Sequence, residues 1–272
     1  MTYGNRQGGS KGLRLATWNP GSAHLPNKVN EIEYLIAKHR PHLLIVTEAN
    51  LFKSHDLTKV KIPKYDIIVS DTMKNSSLNY SRTVAYVHED ISVNVRHDLM
   101  DQDVSSIWLS LGHKNQKKIL VGGLYREWNL LGGGNGSVDD PGSPAAQLVR
   151  WNLLLEKWRA ALEEDKEVVL LGDINLDWFT CLDSDPPPNS KAYRLKPLVT
   201  QLLMKIFTFG VCQLVNTVTR SWQGHPHSCL DLIFTNRPER SLRWKFLWLH
   251  PQITDMYRSP GTPKVFKPNQ DV

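Results

Sequence analysis

Several features are missing from this chain, and each absence narrows what it can be. No stretch of the 272 residues approaches the roughly 18 consecutive apolar residues that a membrane-spanning helix needs. Residues 1–12 are polar and glycine-rich and carry no apolar signal-peptide core, so a tail is expected there. Cysteines number only three (Cys181, Cys212 and Cys229), with no C-x-x-C pair among them. Neither a disulfide framework nor a structural zinc site is expected from that spacing, and a reducing compartment is. No internal repeat occurs, and no shift in composition marks a domain boundary. One layered domain over residues 13–256 is therefore expected, followed by an irregular, proline-bearing tail at 257–272.

What is present is a composition able to build a core: 40% hydrophobic residues against 22% charged. The net charge of +6, with an isoelectric point near 9.1, favours a polyanionic partner once a phosphate-handling site stands beside it. Strand-like patterns fall at Leu13–Trp18, His42–Thr47, Tyr65–Ser70, Thr83–His88, Ile91–Arg96, Ser106–Leu111, Lys118–Tyr125, Glu167–Leu171, Val211–Asn216, Cys229–Thr235 and Leu242–Leu249. Helical spacing places Val29, Ile32, Leu35 and Ile36 on one face, and does the same for Leu148, Trp151, Leu155, Trp158 and Leu162. A further helix over Tyr193–Phe209 carries Leu195, Leu198, Val199, Leu202, Leu203 and Ile206. The Gly132–Pro144 stretch and the prolines after Asp185 read as loops.

Four polar clusters sit at the ends of these apolar runs, where α/β folds place working side chains. They are Thr17-Trp18-Asn19, Thr47-Glu48-Ala49-Asn50, Gly172-Asp173-Ile174-Asn175 and Ser228-Cys229-Leu230-Asp231. Each alone has a plainer reading. Asn19 before Pro20-Gly21 suits a turn, Glu48 a solvated strand end, Gly172-Asp173 an Asx-turn and Tyr125 a strand terminus. Asp231 resists such a reading, because its apolar neighbours imply burial and a buried carboxylate needs a partner. As a set, the clusters supply what metal-assisted phosphodiester hydrolysis requires. Glu48 offers a carboxylate to a hard cation such as Mg²⁺, and Asp173 a base that orients water. Asn19, Asn175 and Tyr125 offer neutral donors for charge developing on phosphate.

These motifs, in order, resemble those of the endonuclease/exonuclease/phosphatase superfamily. They are A-T-W-N (Ala16–Asn19), T-E-A-N (Thr47–Asn50), Y-R-E (Tyr125–Glu127), G-D-I-N (Gly172–Asn175), T-R (Thr219–Arg220) and S-C-L-D-L-I-F-T-N (Ser228–Asn236). The resemblance spans roughly Gly12–Asn236. It is nearest to the apurinic-endonuclease-like domain of non-LTR retrotransposons, above all from Leu148 through Trp178. It implies a four-layer α/β sandwich, with two packed mixed β-sheets flanked by helices. It also implies a Mg²⁺ site (Mn²⁺ in its place) at Glu48 with Asn19 beside it, a water-orienting Asp173, and phosphate contacts from Asn175 and Tyr125. Asp231 would orient a catalytic histidine, while Thr219 and Ser228 would contact DNA or support the site. Arg220, Trp222, His225 and His227 would form a hairpin projecting towards double-stranded DNA. Such a domain nicks target DNA for reverse transcription, which places it in the nucleus or cytoplasm; no membrane and no obligate protein partner is implied.

The end of the chain departs from the family pattern. Where the family closes its site with Ser-Asp-His, this sequence has Thr254-Asp255-Met256; Asp255 could still serve the metal. A thioether can neither donate a proton nor pair with Asp231, and His250 lies six residues upstream, too far along the strand to substitute. The closing strand that would follow is also expected to be incomplete. A truncated or diverged retroelement copy accounts for both departures. The first expectation is therefore a Mg²⁺-dependent DNA endonuclease slowed by Met256. The alternatives are a catalytically impaired DNA-binding remnant and, further off, a small-molecule phosphatase or phosphodiesterase.

Overall fold

The computed structural model describes residues 12–21, 24–74, 79–112, 118–126, 144–164, 166–181, 191–220, 228–239 and 245–249. Its strands are β1 (Arg14–Trp18), β2 (Leu43–Val46), β3 (Leu51–Phe52), β4 (Tyr65–Val69), β5 (Tyr80–Ser81), β6 (Val84–His88) and β7 (Ser92–Val95). They continue with β8 (Ser106–Gly112), β9 (Ile119–Tyr125), β10 (Glu167–Asp173), β11 (Cys212–Gln213), β12 (Asp231–Thr235) and β13 (Lys245–Leu249). The helices are α1 (Val29–His39), α2 (Pro144–Leu162), α3 (Trp178–Cys181) and α4 (Lys191–Phe209).

One sheet has the order β13-β1-β2-β6-β4 and the other β11-β12-β10-β9-β8-β7; β3 and β5 pair as a small separate ribbon. Both large sheets are mixed. Strand β1 runs parallel to β2 and β13, β9 runs parallel to β10, and the remaining pairs are antiparallel.

The continuous apolar runs of β1, β2 and β6 follow from their being covered on both faces. Leu15, Leu43, Ile45, Ala85 and Val87 point into the core shared with the second sheet. Their alternate neighbours Ala16, Trp18, Leu44, Val46, Val84 and Tyr86 pack with Ile32, Leu35 and Ile36 of α1 on the other side. A strand buried on both faces needs an apolar residue at every position rather than at every second one. On the far side of the second sheet, α2 contributes Trp151, Leu154, Leu155, Trp158 and Ala161, and α4 contributes Leu198 and Leu202. The indole of Trp151 donates to the Leu198 carbonyl at 3.1 Å and ties the two helices together. The layers are thus helix, sheet, sheet, helices, as the family resemblance implied.

Between Tyr65 and Tyr125 the β4–β6, β7–β8 and β8–β9 pairs are antiparallel. Strand β13 pairs with β1, while the segment whose closing strand is expected to be incomplete, like the 1–11 and 257–272 tails and the 132–143 loop, lies outside the described residues. Among the described residues no helix is long and apolar enough to cross a membrane.

The two sheets approach closely at Gly123. A Cβ placed there would lie 2.8–3.0 Å from three side-chain carbons of Ile45 in the opposing sheet. Overpacking of this kind costs about 1–3 kcal/mol. Gly123→Ala is therefore expected to lower stability by that amount in denaturant unfolding. Adding Ile45→Val, which removes the carbon nearest the new methyl, is expected to recover part of the loss; a purely additive double variant would contradict the close approach.

Candidate active site

The strand register brings the sequence-predicted residues together. Tyr125 on β9 pairs with Asp173 on β10, and Asp173 pairs with Asp231 on β12. Residues in register on neighbouring strands point to the same face. Two positions back in β9 and β10, and two positions on in the antiparallel β12, Gly123, Leu171 and Ile233 occupy the equivalent row, and Gly123 faces Ile45 of the first sheet. A period of two therefore aims Tyr125, Asp173 and Asp231 between the sheets, at the end where β9 and β10 stop.

The first sheet meets them with the residues that follow β1 and β2. Asn19 continues the inward parity of Leu15 and Thr17, and its Nδ2 donates to Asp173 Oδ2 at 2.9 Å. Its Oδ1 accepts the Gly21 amide at 2.8 Å, so the turn reading of Asn19 holds along with the functional one. Glu48 would point away from the second sheet if β2 simply continued its alternation. Its left-handed backbone (φ 50°) breaks that alternation, and Tyr125 Oη donates to Glu48 Oε1 at 3.1 Å. Left-handed backbone is uncommon outside glycine, and here Glu48, Asn50 and Asn175 all adopt it.

The Gly172–Asn175 turn is built tightly. Gly172 has φ 139°, and a Cβ there would lie 2.0 Å from the Leu124 carbonyl oxygen, so only glycine fits. Asp173 Oδ1 accepts the Asn175 amide at 2.8 Å, which is the Asx-turn anticipated from sequence. The Asn175 side chain donates to the Arg126 carbonyl at 2.7 Å, leaving the second of its two amide hydrogens available. Arg126 was singled out only as part of Y-R-E, yet it is buried and holds this turn in place. Its Nε donates to the Ile174 carbonyl at 2.6 Å and its Nη2 to the Asn175 carbonyl at 2.8 Å.

Thr219 is buried, and its hydroxyl accepts the Leu230 and Asp231 amides at 2.8 and 3.1 Å. The hydroxyl thereby holds the backbone that leads into β12 beside Asp231. The isolated bridge between Arg220 and Ser228 closes the base of the expected hairpin, with Arg220 exposed. Trp222, His225 and His227 lie outside the described residues, as do Glu127, His250, Asp255 and Met256.

This convergence is electrostatically tense. Asp173 is buried, and its carboxyl is held well above the ordinary carboxylate range, by burial first, then by Asp231 and more weakly by Glu48. The hydrogen bonds from the Asn175 amide and Asn19 oppose that rise without cancelling it. Burial, followed by Glu48 and Asp173, likewise pushes the Tyr125 phenol up, so it stays a neutral O–H donor. A raised carboxyl is a better proton acceptor near neutral pH than an ordinary one.

A divalent cation suits this arrangement. Like charges are already crowded, and a hard ion needs only one or two of the carboxylates while retaining its waters. The described residues hold no group of three or more histidine, cysteine or acidic side chains arranged as a ready-made metal cage.

Comparison with known proteins agrees with the fold. Residues 13–255 match the profile described as "Endonuclease/Exonuclease/phosphatase family". A search of curated proteins returns no match. The fold is similar to the endonuclease domain of TRAS1, a telomere-specific non-LTR retrotransposon, with TM-score 0.54 and 11% identity over 82% of this chain and 84% of that one. It is similar to the 3′ phosphatase NExo from Neisseria bound to a product DNA hairpin, with TM-score 0.54 and 15% identity over 82% and 86% of the two chains. An AP endonuclease from Archaeoglobus fulgidus gives TM-score 0.53 and 13% identity over 83% and 87%.

The raised Asp173 carboxyl has a consequence for stability. A carboxyl with a folded-state pKa above its unfolded value binds its proton more tightly when folded. It therefore destabilises the fold increasingly as pH rises from the ordinary carboxylate range through the raised value. Asp173→Asn removes that penalty and is expected to raise the unfolding temperature of the metal-free protein at neutral pH. Each kcal/mol relieved reads as about 2–4 °C in a chain of this size. The gain should shrink as pH is lowered below the ordinary carboxylate range; an equal gain at all pH values would contradict the electrostatic cause.

Proposed function

We propose that this chain, which belongs to the endonuclease/exonuclease/phosphatase family, hydrolyses phosphodiester bonds of DNA with a divalent cation and nicks duplex DNA as a retrotransposon-type endonuclease does. The observation that carries this reading is the meeting of Glu48, Asp173, Asp231, Asn19 and Tyr125 between the two sheets. In support, the fold is similar to DNA-processing enzymes, and the chain carries a net charge of +6, suited to a polyanion.

Glu48 would hold the Mg²⁺, with Asn19 alongside and Asp255 as a further donor. When bound, the ion supplies Lewis-acid polarisation of a phosphoryl oxygen and neutralises developing charge. Asp173 takes the proton of a water lined up opposite the leaving oxygen, while Asn19 fixes the direction of its Oδ2. The phenol of Tyr125 and the free amide hydrogen of Asn175 donate to phosphate oxygens as they gain charge. Arg126 keeps Asn175 in place from behind.

A second reading, DNA binding without cleavage, is favoured by Met256, which stands where the family carries histidine. Conversion of supercoiled plasmid to open circle separates the readings. Nicking should require Mg²⁺, stop in EDTA, and fall by about 10²–10⁴-fold in Glu48→Ala and Asp173→Ala. Met256→His should raise the rate. Plasmid binding without nicking, unrestored by Met256→His, would replace the nuclease reading with the second one. Cleavage confined to small soluble phosphoesters would replace both.

A further inference from the structure

Arg82 lies in the turn between β5 and β6 and took no part in the sequence reading. Its carbonyl accepts the Ala49 amide at 3.0 Å, which seats it beside Glu48. Its guanidinium carbon lies 5.4 Å from the Tyr80 ring centroid and 5.7 Å from that of Tyr125, the ring whose hydroxyl donates to Glu48. Both rings lie within cation–π reach of the guanidinium, and its charge acts on the Tyr125 phenol.

Arg82 differs from Arg96, Arg126 and Arg159 in lacking an acceptor. Arg96 and Arg159 pair with carboxylates, and Arg126 donates to backbone carbonyls. The Arg82 Nε is buried with no hydrogen-bond partner, and among the described residues its guanidinium makes no ion pair. A half-buried guanidinium with spare donors loses hydration and gains nothing in return until an anion arrives. Its planar fork matches two oxygens of a phosphate, and the ring contacts order the side chain beforehand, so little rotamer freedom remains to be lost on binding.

We propose that Arg82, seated against the Tyr80 and Tyr125 rings, binds a backbone phosphate of the DNA strand lying across the Glu48–Asp173 site. The proposal rests on the nuclease reading for the identity of the strand. Its test is independent of cleavage. Anisotropy of a labelled duplex oligonucleotide is followed in EDTA across a salt series for the natural chain, Arg82→Ala and Arg82→Lys.

Arg82→Ala should weaken binding by about tenfold and lower the slope of log affinity against log salt by about one, the signature of a lost phosphate contact. Arg82→Lys should keep the slope, because the charge remains, yet weaken binding several-fold because the fork is gone. Affinity and slope unchanged in Arg82→Ala would overturn the proposal, as would a natural chain that does not bind the duplex. Should Arg82→Ala fail to fold, unchanged affinity in Arg82→Lys overturns it equally. A chain that binds through Arg82 but never nicks would sink the nuclease reading and leave the phosphate grip standing.

Discussion

The site depends on mutual repulsion among Glu48, Asp173 and Asp231, acids that the two sheets force towards one another where they part. Neighbouring strands put Asp173 and Asp231 directly opposite each other, and the reversed backbone at Glu48 brings in a third carboxylate from the facing sheet. Burial first, then Asp231 and more weakly Glu48, disfavour the charge of Asp173, which responds by holding its proton more tightly. The surrounding neutral donors are too few to cancel that tension. A cation is the natural counterweight, and a phosphate diester is a substrate that such a cation can share.

The rest of the fold serves to keep this arrangement rigid. Strands buried on both faces cannot slip by one residue without exchanging one buried face for the other. The register that sets Tyr125, Asp173 and Asp231 in a row is therefore locked by the packing behind it. Gly123 lets the sheets come close, Gly172 lets β10 turn against Leu124, and Arg126 ties the turn back to the end of β9. Left-handed residues at Glu48, Asn50 and Asn175 hold backbone strain that only a well-packed scaffold sustains.

Much of this was legible in the sequence, for identifiable reasons. Runs such as Leu43–Val46 and Glu167–Leu171 are apolar at every position because both their faces are covered, and that pattern is visible without a structure. The helix faces at Ile32–Ile36 and Trp151–Trp158 follow from spacing alone. Polar clusters at strand ends marked Asn19, Glu48, Asp173 and Asp231 before any geometry was known. The plain turn readings of Asn19 and Asp173 proved compatible with the functional ones, since one carboxylate oxygen shapes the turn while the other faces the site.

What the sequence did not reveal depends on long-range geometry. The β3–β5 ribbon has two residues per strand, too few for a periodic signal. The inward swing of Glu48 comes from a backbone reversal that no residue preference announces. Arg82 looks like an ordinary polar residue before a strand, and only the nearness of the Tyr80 and Tyr125 rings gives it a purpose. The most direct measurement of the central claim is a titration of the metal-free protein with Mn²⁺, following the free ion by electron paramagnetic resonance at several pH values. A saturable site that tightens as pH rises and disappears in Glu48→Gln is the predicted result; uptake that is absent, or identical in the natural chain and that variant, would contradict it.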